Sequence, residues 1–268
     1  MKRPIVWVIA VVVVLCAAAL IYSWNANHRH AATATAVTAP VAVPAPAPAP
    51  AIENPVPAQA ADAKPLPKLD ASDKPVREAL DDVAGKKSLD SLLIPDNLVR
   101  RIVATIDNLP RSRVAVDMRP VRAAPGQFQV NGTNEQAQIA PENYARYKPY
   151  VKLLQDIDVQ QFAATYFHLY PLFQQAYQNL GYPNGYFNDR VVQAIDDLLA
   201  TPDVQGPIEL VRPNVMYEYA DAKLEQLSAG QKLMLRIGPD NAAIVKDRLR
   251  ALRAVLVAHG KDSGKSTP

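Results

Sequence analysis

Glu209 and Glu218 lie in a stretch without helical period, close to Tyr217 and Tyr219. A general acid and a second carboxylate beside aromatic rings are what a glycan-cleaving site needs. Asp189, Asp196 and Asp197 add three more acids a few residues upstream. Acidic side chains of a folded domain are mostly solvated or salt-bridged, so the same residues also read as ordinary surface. Hydrolysis of cell-wall material by this pair is the alternative reading of the chain, with Glu209 or Glu218 as acid.

Other catalytic classes lack their parts. Nucleophilic triads require a histidine or equivalent base, and between Leu69 and Ala258 only His168 is available, with His259 just beyond. His168 falls off the aromatic stripe of its segment, which favours a surface or hydrogen-bonded role. His28 and His30 stand in a stretch that cannot form a core, too weak a pair to hold zinc. No HExxH, CxxC, GxxxxGK[ST] or GxGxxG pattern occurs, so no metal and no cofactor are expected.

Aromatic residues are distributed more tellingly. Ten of the 11 tyrosines lie between Tyr144 and Tyr219, and the densest run is Gly181-Tyr182-Pro183-Asn184-Gly185-Tyr186-Phe187-Asn188-Asp189-Arg190. Two glycines and a proline make this a turn, and a turn bearing aromatic and amide groups can stack sugars or anchor a protein partner. Tyr182, Tyr186, Phe187, Asn188, Asp189, Arg190, Tyr217 and Tyr219 are therefore the binding candidates. The competing account makes Tyr186 and Phe187 core plugs ahead of a helix capped by Asn188; both stand open at this point. A basic excess at Arg100, Arg101, Arg111, Arg113, Arg119 and Arg122 reads as solvated surface balanced by acids elsewhere.

The elements that must carry these residues are helices. Leu98, Val99, Ile102, Val103 and Ile106 recur at helical spacing behind Asp96, a candidate cap, and the pattern stops before Pro110. Asp158 and Gln161 have capping-box spacing ahead of Val159, Phe162, Tyr166, Tyr170, Phe173 and Tyr177, with Pro171 expected to kink that helix. Asn188 opens a helix with Val191, Val192, Ile195, Leu198 and Leu199 on one face, ending at Pro202. Ser228 and Gln231 repeat the capping-box spacing, and Gly238-Pro239 stops that helix. A last helix from Asn241 turns Val245, Leu249, Leu252 and Leu256 inward and Lys246, Arg248, Arg250 and Arg253 outward. Residues 111–133 and 206–219 lack helical period; alternation at Val114, Val116, Met118 and at Phe128, Val130 before Asn131-Gly132 allows one small hairpin.

Ahead of this domain the composition changes twice. Lys2 and Arg3 precede an apolar run from Pro4 to Trp24, long enough to cross a bilayer with the N-terminus cytoplasmic. A cleaved signal peptide is the other reading of that run, against which its length argues. Residues 25–67 contain Pro44-Ala45-Pro46-Ala47-Pro48-Ala49-Pro50 and read as an extended tether. The chain of 268 residues, with 24 prolines, 10 glycines and one cysteine, excludes a disulfide scaffold and collagen. The expected organisation is a transmembrane anchor over 1–24, an Ala/Pro-rich linker over 25–67, a mainly α domain over 68–258 with at most a small β-hairpin, and a tail over 259–268.

Several short motifs occur together: Leu66-Pro67, Leu69-Asp70-Ala71-Ser72-Asp73, Asp107-Asn108-Leu109-Pro110, Gly181-Tyr182-Pro183 with Phe187-Asn188-Asp189, Gly206-Pro207-Ile208-Glu209-Leu210, and Ser228-Ala229-Gly230-Gln231-Lys232. In these the chain resembles the bacterial domain-of-unknown-function family 3014 (DUF3014), over about Leu66 to Leu256. The resemblance implies a bacterial envelope protein with an anchor, a variable linker and this domain, and treats Asn131 to Ile139 as a variable insert. It implies no activity and carries over no catalytic residue. The leading expectation is a single-pass inner-membrane protein with a periplasmic, non-enzymatic interaction or scaffold domain. Its partners would be the membrane through residues 4–24 and an envelope protein or peptidoglycan, with no nucleic acid.

Overall fold

The computed structural model describes residues 51–57, 65–133, 136–156, 158–213 and 215–263. The expected anchor at 4–24 lies outside them, and no helix among the described residues is long and apolar enough to cross a membrane. The elements run α1 (Asp73–Ala84), α2 (Lys86–Leu92), α3 (Leu98–Asn108), β1 (Val130–Asn131), β2 (Ala137–Ile139), α4 (Glu142–Ala145), α5 (Lys148–Gln155), α6 (Val159–Asn179) and α7 (Phe187–Leu199). They continue as β3 (Glu209–Val211), β4 (Glu218–Tyr219), α8 (Ala222–Glu225), α9 (Ala229–Arg236) and α10 (Pro239–Ser263). The domain is mainly helical, as its periodicity predicts.

Each long helix buries the stripe its sequence marks. On α3, Leu98, Val99, Ile102, Val103 and Ile106 are buried, and on α10 so are Val245, Leu249, Leu252 and Leu256. The aromatic stripe of α6 is buried from Phe162 to Tyr177, and the helix continues through Pro171. Asp158 caps it by accepting from the Gln160 and Gln161 amides at 2.9 and 3.0 Å. Ser228 and Gln231 form the reciprocal capping box at the start of α9. These helices enclose one core, and between α3, α6, α7 and α10 they leave a cavity of about 60 Å3, lined almost wholly by apolar side chains including Ile106, Phe162, Phe173, Phe187 and Ala194.

Other local expectations are overridden by tertiary contacts. Asp96 does not cap α3; Asn97 takes a left-handed conformation there (φ 53°), and the carboxylate of Asp73 accepts the Asn97 and Leu98 amides, both at 2.8 Å. The first turn of α1 thus supplies the cap for α3. α10 begins at Pro239, where a missing N–H costs nothing, and runs to Ser263, past the boundary expected at Ala258. Lys246, expected outward, is buried: its ammonium donates to the Thr201 carbonyl and Asp203 Oδ1, both at 2.7 Å, while its stem is covered.

The non-helical stretches make more β-structure than one hairpin. β1 and β2 pair around the Asn131-Gly132 turn, Val130 opposite Ile139, where Gly132 (φ 83°) sits so close to the Gln136 carbonyl that a Cβ would be 2.2 Å away. β2 then pairs with β3 and β3 with β4, giving an antiparallel four-stranded sheet in the order β1-β2-β3-β4. Val116–Met118, expected to alternate as a strand, is a 3-10 turn. The sheet keeps its own smaller core of Ala137, Ile139, Ile208, Leu210, Tyr219 and Leu235.

Candidate functional site

The loop after α6 is fixed from below by a ladder of polar contacts. Gln174 Nε2 donates to the Gly185 carbonyl at 2.7 Å, and Gln174 Oε1 accepts from the Tyr170 hydroxyl and the Phe187 amide, both at 2.8 Å. Tyr182 stacks on Tyr177 with centroids 4.6 Å apart. Gly185 fits against the same rings, for a Cβ there would lie 2.8 Å from the Tyr177 ring. The Tyr166 hydroxyl donates to Asn188 Oδ1 at 3.0 Å. Burial pushes the phenols of Tyr166 and Tyr170 well above their ordinary range, so both remain neutral donors.

A second anchor is Asp107 on α3, a buried carboxylate. It accepts from Arg190 Nε at 3.0 Å, from Arg111 Nη2 at 2.9 Å and from the Tyr182 hydroxyl at 3.3 Å; Arg190 also reaches the Asp107 carbonyl. With both charges removed from water, the pair holds only because each hydrogen-bonding group has a partner. The hydrogen bond to the Asp107 carboxylate holds the Arg111 guanidinium above its usual pKa.

These contacts divide the binding candidates. Phe187 is fully buried, and Tyr182 and Arg190 face Asp107, so all three hold the loop. Asn188 is not a cap: α7 starts at Phe187, and Asn188 is a fully buried residue of its first turn, because the Tyr166 hydroxyl supplies a partner no local pattern reveals. Tyr186, Asn188 and Asp189 turn toward the remaining side of the loop, and that side is occupied.

Residues Ala51–Pro57, expected to belong to a free linker, lie across it. Asp189 Oδ2 accepts the Glu53 amide at 3.1 Å, and Asp189 Oδ1 accepts the Asn54 amide at 2.7 Å and the Asn54 side-chain amide at 2.9 Å. The Tyr186 hydroxyl accepts the Val56 amide at 2.7 Å, and Asn188 Nδ2 donates to the Asn54 carbonyl at 2.8 Å. That last bond orients the amide, since a carbonyl can only accept; Asn188 must then present Oδ1 to Tyr166. Val56 packs against the helical core. The site is a helix-borne face that holds extended backbone by its N–H and C=O groups.

The remaining candidates belong to the sheet. Tyr219 is buried in the sheet core with its hydroxyl donating to the Lys232 carbonyl at 3.1 Å, and the ring of Tyr217 lies under the Arg212 guanidinium at 5.4 Å. Glu209 and Glu218 sit on adjacent strands in a register that opposes Val211 to Glu218, Glu209 exposed and Glu218 half-buried. Asp196 pairs with Arg253, and Asp197 accepts the Ser228 hydroxyl at 2.6 Å, its partial burial raising the carboxyl pKa. Of the basic cluster, Arg100 pairs with Asp70 and Arg101 is spent on the Asp96, Asp117 and Arg119 carbonyls. No group of three or more metal-ligating side chains occurs among the described residues.

Two contributors were not among the candidates. Asp107 falls in the register of Val99 and Val103, so its place on a buried stripe was visible as an acid in an apolar phase. The docked segment had a compositional signal: Glu53-Asn54-Pro55-Val56-Pro57 breaks the Ala-Pro alternation with an acid, an amide and a β-branched residue.

What the fold and this face define is a mainly helical domain, carrying a small sheet, whose α6–α7 corner holds a stretch of extended backbone. A family model described as "Protein of unknown function (DUF3014)" matches residues 98–253, more than half of the chain, and the protein belongs to that family. Comparison with curated proteins and with solved structures finds no match.

Proposed function

We propose that this protein is a non-enzymatic interaction or scaffold module of the bacterial cell envelope, anchored in the inner membrane through residues 4–24, whose periplasmic domain binds a protein partner through the face of Tyr186, Asn188 and Asp189. The observation that supports this most is the pattern of its contacts: consecutive backbone donors meet Asp189 and Tyr186, and the intervening backbone carbonyl meets Asn188. Such a pattern suits peptide main chain. Sugar stacking would need open ring faces, whereas Tyr182 is stacked on Tyr177 and Tyr186 packs on Tyr170 at 5.5 Å. A protein partner is therefore favoured over cell-wall glycan.

The test places a photocrosslinking residue at Asn184, exposed at the loop tip, in the full-length protein in living cells. A protein adduct whose yield falls in the Asp189→Ala background is the expected result. Adducts indifferent to Asp189, or none, would refute the reading. Release of soluble muropeptides from sacculi, lost in Glu209→Gln or Glu218→Gln, would put the enzyme in its place.

A further inference from the structure

The segment from Glu53 to Pro57 has backbone N–H groups only at Glu53, Asn54 and Val56, because positions 55 and 57 are proline, and all three are accepted by the domain. The acceptors on the domain side belong to one short stretch of loop and helix, held from beneath by Tyr166 and by Gln174. Side-chain recognition is added at two places. The Asn54 amide shares Asp189 Oδ1, and Val56 enters a half-buried position against the core. Pro55 and Pro57 restrict the segment to extended conformations before it docks, which lowers the ordering cost.

From these contacts we infer that the face is a recognition site for an extended Asn-Pro-hydrophobic-Pro peptide, and that Ala51–Pro57 is its intramolecular ligand, exchanged for the same kind of segment on the partner. The inference rests on the proposed interaction role and names the chemistry of its ligand. The segment contributes no strand or helix to the domain; among the described residues it is held by five hydrogen bonds and by the partial burial of Asn54 to Pro57, with Val56 packed on the core. A contact of that size exchanges as a unit. A site occupied by its own chain for about nine-tenths of the time binds an external peptide about ten-fold more weakly than an open one. Wild-type protein is accordingly self-occluded, and a partner must present the motif at high local concentration to displace the segment.

The experiment compares full-length wild type with Asn54→Pro/Val56→Pro, which deletes two backbone donors and the Asn54 amide and leaves every residue of the face intact. The probe is a fluorescently labelled, end-blocked peptide of sequence Ala-Ile-Glu-Asn-Pro-Val-Pro, read by anisotropy. The opened variant is expected to bind it about ten-fold more tightly than wild type. Asp189→Ala in the opened background, or alanine at the peptide's asparagine, is expected to remove most of that binding. Equal affinity for wild type and the opened variant, or binding to neither, overturns the inference. A readout that needs no variant is hydrogen exchange of the Val56 amide in wild type: millimolar peptide should accelerate it, and an unchanged rate also overturns the inference. Peptide binding without a crosslinked protein from Asn184 would sink the proposed cellular role alone. A crosslinked partner whose yield is the same in wild type and the opened variant would sink the exchange alone.

Discussion

Truncating Asp189 removes the acceptor of three hydrogen bonds from the docked segment and no core contact. Asp189→Ala should therefore free the segment and lower stability by about 1 to 2 kcal/mol, the net worth of its docking. Phe187, two residues away, is fully buried, and Phe187→Ala should cost about 3 to 5 kcal/mol in urea denaturation. Asp107→Ala strands Arg190, whose side chain is 13% exposed, and should cost about 3 kcal/mol or more. A large loss for Asp189→Ala, or a small one for Phe187→Ala, would reverse this assignment of site and scaffold. The loop was legible in the sequence as a dense aromatic and amide cluster, but its division was not. Residue type at Asn188 signals a cap; only the Tyr166 hydroxyl, brought over by α6, makes it a buried bridge.

Among elements, α7 and α9 are joined through a capping box that reaches outside its own helix. Ser228 caps α9 and donates to Asp197 of α7 at 2.6 Å, while Gln231 donates to the Asp197 carbonyl at 3.0 Å. Partial burial raises the Asp197 pKa above the unfolded value of 3.8, against the opposing Ser228 hydrogen bond. The native state therefore holds this proton more tightly than the unfolded chain. Its contribution to stability is complete below pH 3.8 and is lost as pH rises through the native pKa. Asp197→Asn should match wild type most closely at low pH and gain on it between pH 4 and neutrality in urea melts; a pH-independent difference would contradict this. Helix starts at Asp158 and Ser228 could be read from sequence because their acceptors and donors lie within one turn. The start of α3 could not, because its cap is Asp73, a residue of another helix. The sheet escaped for a related reason: strands of two or three residues carry too little alternation to register, and their pairing is non-local.

For the whole molecule, the docked segment is a balance of near-equal terms. Five hydrogen bonds at about 1 kcal/mol each and the partial burial of Pro55, Val56 and Pro57 at about 1 kcal/mol in all oppose the ordering of Glu53 to Pro57, about 4 to 5 kcal/mol with two prolines already restricted. The difference, about 1 to 2 kcal/mol, keeps the segment docked most of the time and lets it leave. The apolar cavity among α3, α6, α7 and α10 is a separate reserve of stability. Ala194→Val should fill part of its 60 Å3 and raise the unfolding free energy by up to about 1 kcal/mol without changing peptide binding. The most direct measurement on the central claim is amide hydrogen exchange at Glu53, Asn54 and Val56 in the full-length protein, beside Asp189→Ala. Exchange slowed about ten-fold or more in wild type and restored to the free-peptide rate in the variant is the expected result. Free-peptide rates in both proteins would mean that the face does not hold the segment and would contradict the account.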